Sequence, residues 1–159
     1  MIMIQCMSVI AAAMMIGIAG QADQAYEAHA DDSLMPDGAT AFAESIVSDA
    51  MTWVGTPYVY GGTGPSGFDC SGLVCRVFSD NGVTLPRTVT GMMELGSEVA
   101  VDSLLPGDLL IFDNPRHVGI FIGDGQFIHS SSWQGRGVVI TPLAQENYSR
   151  RFTCARRVI

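Results

Sequence analysis

The apolar periodicity of this chain changes once along its length. Up to Asn81 the apolar residues recur at helical spacing, and from Leu104 onward they come in short strand-like runs. Helices gathered ahead of strands specify an α+β fold, because an alternating α/β fold would interleave the two patterns. Residues 41–54 place Phe42, Ile46, Val47, Ala50, Met51 and Val54 at helical spacing, with Glu44, Ser45, Ser48 and Asp49 between them. Gly55 and Pro57 end that helix, and residues 57–68 hold too many glycines and prolines to be anything but loop. A second helix is expected from Asp69 to about Asn81, with Leu73, Val74, Val77 and Phe78 on its apolar side and Gly82 as its stop. A short helix is expected near residues 90–95. Strands are expected at residues 109–112, 117–122, 126–131, 137–140 and 152–159, forming a small antiparallel sheet.

At 159 residues the chain has room for one domain with its own core. Asp and Glu number 16 against 8 Lys and Arg. No basic block interleaved with aromatics is present, so no nucleic-acid partner is expected. Arg150-Arg151 and Arg156-Arg157 make the end locally basic and read as solvated surface. The first twenty residues are almost all apolar, and a polar stretch rich in Ala and Asp follows. That pattern reads as an export signal, with Ala28-His29-Ala30 or Gly20-Gln21-Ala22 as a small-x-small cleavage site. A retained anchor is the alternative, since the run is about as long as a membrane span. No other segment is expected to meet a membrane. Beyond that run lie Cys70, Cys75 and Cys154, an odd number, so at least one thiol stays free in an oxidising compartment. A Cys75–Cys154 disulfide is open at this level.

Asp69-Cys70-Ser71-Gly72 follows the glycine-rich loop Gly61-Gly62-Thr63-Gly64 and leads into Leu73-Val74. Asp69 can cap the helix by accepting from its first N–H groups. Cys70 then lies in the first turn, where the helix dipole favours an anion and is expected to lower the thiol pKa. His117 and His129 lie on the two strands of one expected hairpin. A two-residue Asp124-Gly125 turn would set His129 opposite Ile120 and put the imidazoles on opposite faces. A three-residue Gly123-Asp124-Gly125 turn would set His129 opposite Gly119 and put both on one face, roughly 7–8 Å apart at the backbone. With a shared face, one imidazole can take the Cys70 proton and hold the thiolate as an ion pair, and the other can orient it.

Several motifs in one order carry a resemblance. They are Gly55-Thr56-Pro57-Tyr58 with Gly61-Gly62, Phe68-Asp69-Cys70-Ser71-Gly72-Leu73, Leu85-Pro86-Arg87-Thr88, Pro106-Gly107-Asp108-Leu109, His117-Val118-Gly119-Ile120 with Ile122-Gly123, and Phe127-Ile128-His129. Over residues 43–159 the chain resembles the NlpC/P60 family of cysteine peptidases, which cleave the peptide stems of bacterial cell wall. The resemblance implies a papain-like core with N-terminal helices packed on the sheet. It implies Cys70 as nucleophile, His117 as general base and His129 as the orienting residue. It places Tyr58 near the nucleophile as an aid to the oxyanion, and Asp69 and Ser71 on the substrate's amino-terminal side. For Asp69 the cap and the substrate contact both stay open. Val89 and Met92 stand where the family often has Ser and Gln.

The organisation expected is a signal or anchor over 1–30, a linker over 31–40 and a catalytic domain over 41–159. The expected activity is exported hydrolysis of a stem-peptide amide, periplasmic, wall-associated or secreted, by a monomer needing no cofactor. The γ-D-glutamyl–diaminopimelate bond comes first and the D-alanyl–diaminopimelate crosslink second. An acyltransferase or amidase using the same Cys, His and His is the alternative. A zinc site of Cys70, His117 and His129 is a remoter one.

Overall fold

The computed structural model describes residues 37–158 except Pro115, so the expected export segment lies outside the described residues. Helix α1 spans Asp37–Thr52. It starts ahead of the expected residue 41 and so reaches into the segment read as a linker. The expectation began at the first large apolar residue, Phe42, but a helix needs a lead-in turn before its buried face, which here begins at Ala43 and Ile46. Helix α1 stops at Thr52, and Trp53 and Val54 turn back onto it through bonds to Ala50 and Met51.

The stretch read as loop contains a minimal hairpin, β1 (Thr63–Gly64) and β2 (Gly67–Phe68). Helix α2 then runs Cys70–Asp80, capped by Asp69 and ended at Asn81, as the sequence predicts to within a residue. The short helix α3 is Val89–Met92. Val89 and Met92 are buried in the core there, so these departures from the family pattern serve packing.

Strands β3 (Ser97–Val99), β4 (Leu109–Phe112), β5 (His117–Gly123), β6 (Gln126–Ser131), β7 (Gly137–Pro142) and β8 (Phe152–Arg157) form one sheet. Its order is β3-β8-β4-β5-β6-β7 and every pairing is antiparallel. Helix α4, Glu146–Ser149, lies between β7 and β8. Side chains alternate across the sheet. Ile111, Val118, Ile120 and Ile128 pack with Leu73, Val74, Val77 and Phe78 of α2, while Leu110, Phe112, Phe121, Phe127 and Tyr148 fill a second apolar layer. Strand β4 is apolar throughout because both its faces are covered.

Strand β3 was not expected, since Ser97-Glu98-Val99 is short and mostly polar. It is held as an edge by β8, with an Arg156–Glu98 ion pair at 3.4 Å. Arg157 grips the buried Asp108 through two bonds, Nε–Oδ1 at 2.9 Å and Nη2–Oδ2 at 2.8 Å. Arg151 donates through Nε to Asp113 O at 2.8 Å. Reading Arg151 and Arg157 as solvated surface is therefore corrected, because the fold brings a carbonyl and a buried carboxylate to them, while Arg150 does lie on the exposed surface.

Candidate active site

Cys70 opens α2, and three devices fix that opening. Asp69 Oδ1 accepts from Gly72 N at 2.6 Å, making the cap. Asp69 Oδ2 accepts from Gly61 N at 2.9 Å, which ties the glycine loop to the helix start. Ser130 Oγ on β6 donates to Phe68 O at 2.7 Å, two residues before the cysteine. Gly72 lets the loop close down, since a Cβ there would sit 2.0 Å from Gly62 O. Farther out, Gly55 N donates to Val138 O at 2.9 Å and Val138 N to Thr56 O at 2.8 Å, so the segment carrying Tyr58 is sewn to β7.

Arg87 completes the cap. Its Nη2 donates to Asp69 Oδ2 at 2.7 Å and its Nη1 to Ser71 Oγ at 2.7 Å. Burial works against the Asp69 carboxylate, yet the bonds from Arg87, Gly72 and Gly61 outweigh it and hold its pKa below the ordinary value. The cap reading of Asp69 is thus realised. Arg87 lies in one of the quoted motifs but had no assigned role, because only the fold brings it, 18 residues along the chain, to Asp69.

The histidines do share a face, though by neither of the expected routes. The turn is the two-residue one: Gly123 pairs with Gln126 around Asp124 and Gly125, whose φ values are +50° and +65°. That is the mirror-image turn favoured in tight hairpins. A bulge between Phe121 and Gly123 then restores the other register, with Phe121 opposite Phe127 and Ile120 opposite Ile128. His117 Nε2 lies 2.8 Å from His129 Nδ1, and His129 Nε2 lies 3.0 Å from Thr141 Oγ1 on β7. The rings meet edge to face at 4.9 Å. Gly119 leaves the space for this, because a Cβ there would lie 2.6 Å from Phe127 Cδ2 and 3.1 Å from His129 Cβ. Thr141, buried, was missed; a threonine on a neighbouring strand gives no sequence signal of its own.

Backbone N–H groups of Val118, Ser71 and Cys70 itself point toward the half-buried Cys70 sulfur. Val118 follows His117 directly, so strand β5 brings the imidazole's own backbone to the thiol. Cys70 and His117 are not hydrogen-bonded to each other, an arrangement common in unliganded sites that tighten on substrate. With Nε2 engaged by His129, Nδ1 is the nitrogen His117 has left for a thiol proton. If Thr141 accepts from His129 Nε2–H, then His129 Nδ1 accepts from His117 Nε2–H and His117 Nδ1 keeps its lone pair. The opposite chain of protons would occupy Nδ1 and stop it acting as a base.

The expected lowering of the thiol pKa is corrected. Burial raises the Cys70 pKa above the ordinary value, outweighing the lowering by the Val118 N–H, and the Asp69 charge adds to the rise. Burial also lowers His117 to about 4, with Arg151 adding to the effect. His129 is lowered to about 3 by burial first, then by His117 and Arg151. At neutral pH the pair rests as thiol and neutral imidazole rather than as an ion pair. Tyr58 stands close enough for a Cys70 thiolate to raise its phenol pKa, second to burial. Cys75 and Cys154 are free thiols, with the Cys75 sulfur 3.4 Å from Pro86 O. Among the described residues no three His, Cys, Asp or Glu side chains group to hold a metal, and no helix is long and apolar enough to cross a membrane.

The family model for the NlpC/P60 family matches residues 55–157. A probable endopeptidase of Mycobacterium tuberculosis is 43% identical over 111 residues, covering 69% of this chain and 29% of that protein. A murein DD-endopeptidase and murein LD-carboxypeptidase of Escherichia coli is 38% identical over 118 residues, covering 72% of this chain and 62% of that protein. The matched segment is thus less than two thirds of either relative. The crystal structure of an NlpC/P60 family protein from Bacillus cereus superposes with a TM-score of 0.70 at 34% identity, over 73% of this chain and 40% of the other.

Proposed function

The chain belongs to the NlpC/P60 family, and we propose that it is a cysteine endopeptidase hydrolysing an amide of peptidoglycan stem peptides outside the cytoplasm. One observation carries the reading: a capped helix start presents Cys70 to the strand whose first residue, His117, heads a hydrogen-bonded line through His129 to Thr141. The relatives' names, endopeptidase and murein hydrolase, supply the substrate class.

The chemistry follows from the atoms. His117 Nδ1 takes the Cys70 proton as the sulfur attacks the carbonyl carbon. N–H groups at the start of α2, with Tyr58 beside them, receive the charge on the carbonyl oxygen. The imidazolium gives its proton to the leaving amine, and the C–N bond breaks. Water, losing a proton to His117, then releases the acyl group from the sulfur. Asp69 and Ser71 meet the substrate on its amino-terminal side. The bond we assign is γ-D-glutamyl–diaminopimelate; the D-alanyl–diaminopimelate crosslink is the second reading, favoured by the DD-endopeptidase name of the E. coli relative.

The test is product analysis by mass spectrometry after incubation with defined muropeptides, with Cys70→Ala in parallel. Cleavage of a stem amide by the wild type and none by the variant is expected. No cleavage, or equal cleavage by both, overturns the proposal.

A further inference from the structure

Consecutive residues of β6 reach opposite faces of the sheet, and each face carries part of the site. On one face His129 stacks on Phe127 at 4.7 Å and holds His117 Nε2 through its own Nδ1. On the other face Ser130 is fully buried in the layer that holds Phe68, Ile128 and Val138. Its Oγ donates to Phe68 O at 2.7 Å, and Phe68 stands two residues before Cys70.

A hydroxyl in an apolar layer is costly unless it is bonded, so the Phe68 carbonyl accounts for how Ser130 is tolerated there. It does not account for why a serine is needed. Phe68 O already accepts from Val59 N at 3.0 Å, so an alanine at position 130 would leave that carbonyl with a partner. What the serine adds is position. Phe68 N donates to Pro57 O at 3.0 Å, so Phe68 grips residues 57–59, and Tyr58 among them, from both of its backbone groups. The start of that segment, Gly55 and Thr56, is tied to Val138, the residue paired with Ser130 across β6 and β7. Through Ser130 the strand that orients the base therefore also holds the chain leading into the sulfur.

We infer that Ser130 is a positioning residue: its bond to Phe68 O sets how closely the Cys70 sulfur approaches His117, and with it the rate at which the thiol gives up its proton as it attacks. Cys70 and His117 share no hydrogen bond in the resting site, so the framework around them sets their separation. Attack is steep in distance, and a misplacement of about 1 Å can cost about a hundredfold in rate. This role rests on the reading of Cys70 as a nucleophile served by His117, and alkylation tests it without any peptide substrate.

The full chain, Ser130→Ala and Ser130→Thr are treated with iodoacetamide at neutral pH. Alkylation at Cys70 is followed by mass spectrometry, apart from that at Cys75 and Cys154. The sulfur displaces iodide and its proton passes to His117, so the rate reports the approach of the pair. Ser130→Ala is expected to slow alkylation of Cys70 about tenfold, and Ser130→Thr, which keeps the hydroxyl, to stay within about twofold of the wild type. A merely loosened fold would act the other way, because exposing the half-buried sulfur removes the burial that holds its pKa up and speeds alkylation. An unchanged or faster rate in Ser130→Ala, or equal slowing in Ser130→Thr, overturns the inference. Turnover of muropeptides separates it from the hydrolase reading. Slowed alkylation in Ser130→Ala beside a wild type that cleaves no muropeptide upholds the role of Ser130 and defeats the hydrolase. Cleavage by the wild type with equal alkylation of both upholds the hydrolase and defeats the role of Ser130.

Discussion

At Cys70 the helix start and the burial of the sulfur pull the thiol in opposite directions, and burial prevails. Its partner His117 is pushed the other way, to about 4. In the proposed reaction the pair therefore exchanges its proton during attack, with His117 competent as base wherever it is neutral. The acid limb of kcat/KM is expected near pH 4: activity falls as pH drops through that value, because His117 gains the proton it should accept. A limb near the ordinary 6.5 would contradict this. The proposed reaction needs the Thr141 hydroxyl as acceptor, since only that direction of the chain leaves Nδ1 of His117 free. Thr141→Val should lower kcat about fivefold with KM within twofold, roughly the loss of one hydrogen bond of about 1 kcal/mol, and Thr141→Ser should restore it. Equal loss in both variants would make Thr141 a packing residue. Cys70 and both histidines were legible as candidates because each sits in a local motif. Thr141, Ser130 and the sign of the thiol shift were not, because they depend on neighbours brought from other strands and on depth of burial.

Elements position these residues more firmly than local motifs suggest. The cap on α2 was readable from Asp69-Cys70-Ser71-Gly72 alone, because capping needs only four consecutive residues to find one another. The hairpin was not. Its sequence allowed a choice between a tight turn with split histidines and a longer turn with a shared face, and the bulge after Phe121 combined the tight turn with the shared face. A bulge answers to pairing along the whole ladder, so composition near the turn does not reveal it. Strand β3 escaped for a related reason: its order comes from β8. Gly72 offers a test at this scale. Alanine normally favours a helix over glycine by about 0.5–1 kcal/mol. Here its Cβ would meet Gly62 O at 2.0 Å, so Gly72→Ala should destabilise by about 1–3 kcal/mol in urea unfolding and lower activity with it. A stabilised variant would show that the glycine loop does not bear on the helix.

For the whole molecule, helices ahead of strands was enough to specify α+β, and the observed order follows it except for the minimal β1–β2 hairpin before α2 and the short α4 between β7 and β8. Strand order within the sheet was beyond reach, since β8 inserting between β3 and β4 is a long-range choice. The buried histidines link this fold to pH. Both have folded pKa values below 6.5, at about 4 and about 3, so between pH 6.5 and 4 the unfolded chain binds more protons. Their contribution is fully present above pH 6.5 and is lost as pH falls toward 4. Asp69, whose folded pKa is also lowered, extends the loss to lower pH. Urea unfolding is expected to show stability smaller at pH 4 than at pH 7 by about 3 kcal/mol for each histidine, and equal stability would contradict the burial of the pair.

The most direct test of the account is the covalent step at Cys70. A stem peptide mixed with the protein and quenched in acid within a turnover should leave an acyl fragment on the peptide that contains Cys70, read by mass spectrometry. The account predicts that adduct in the wild type, and neither adduct nor hydrolysis in Cys70→Ala. Hydrolysis that proceeds without an adduct and survives in Cys70→Ala would contradict it.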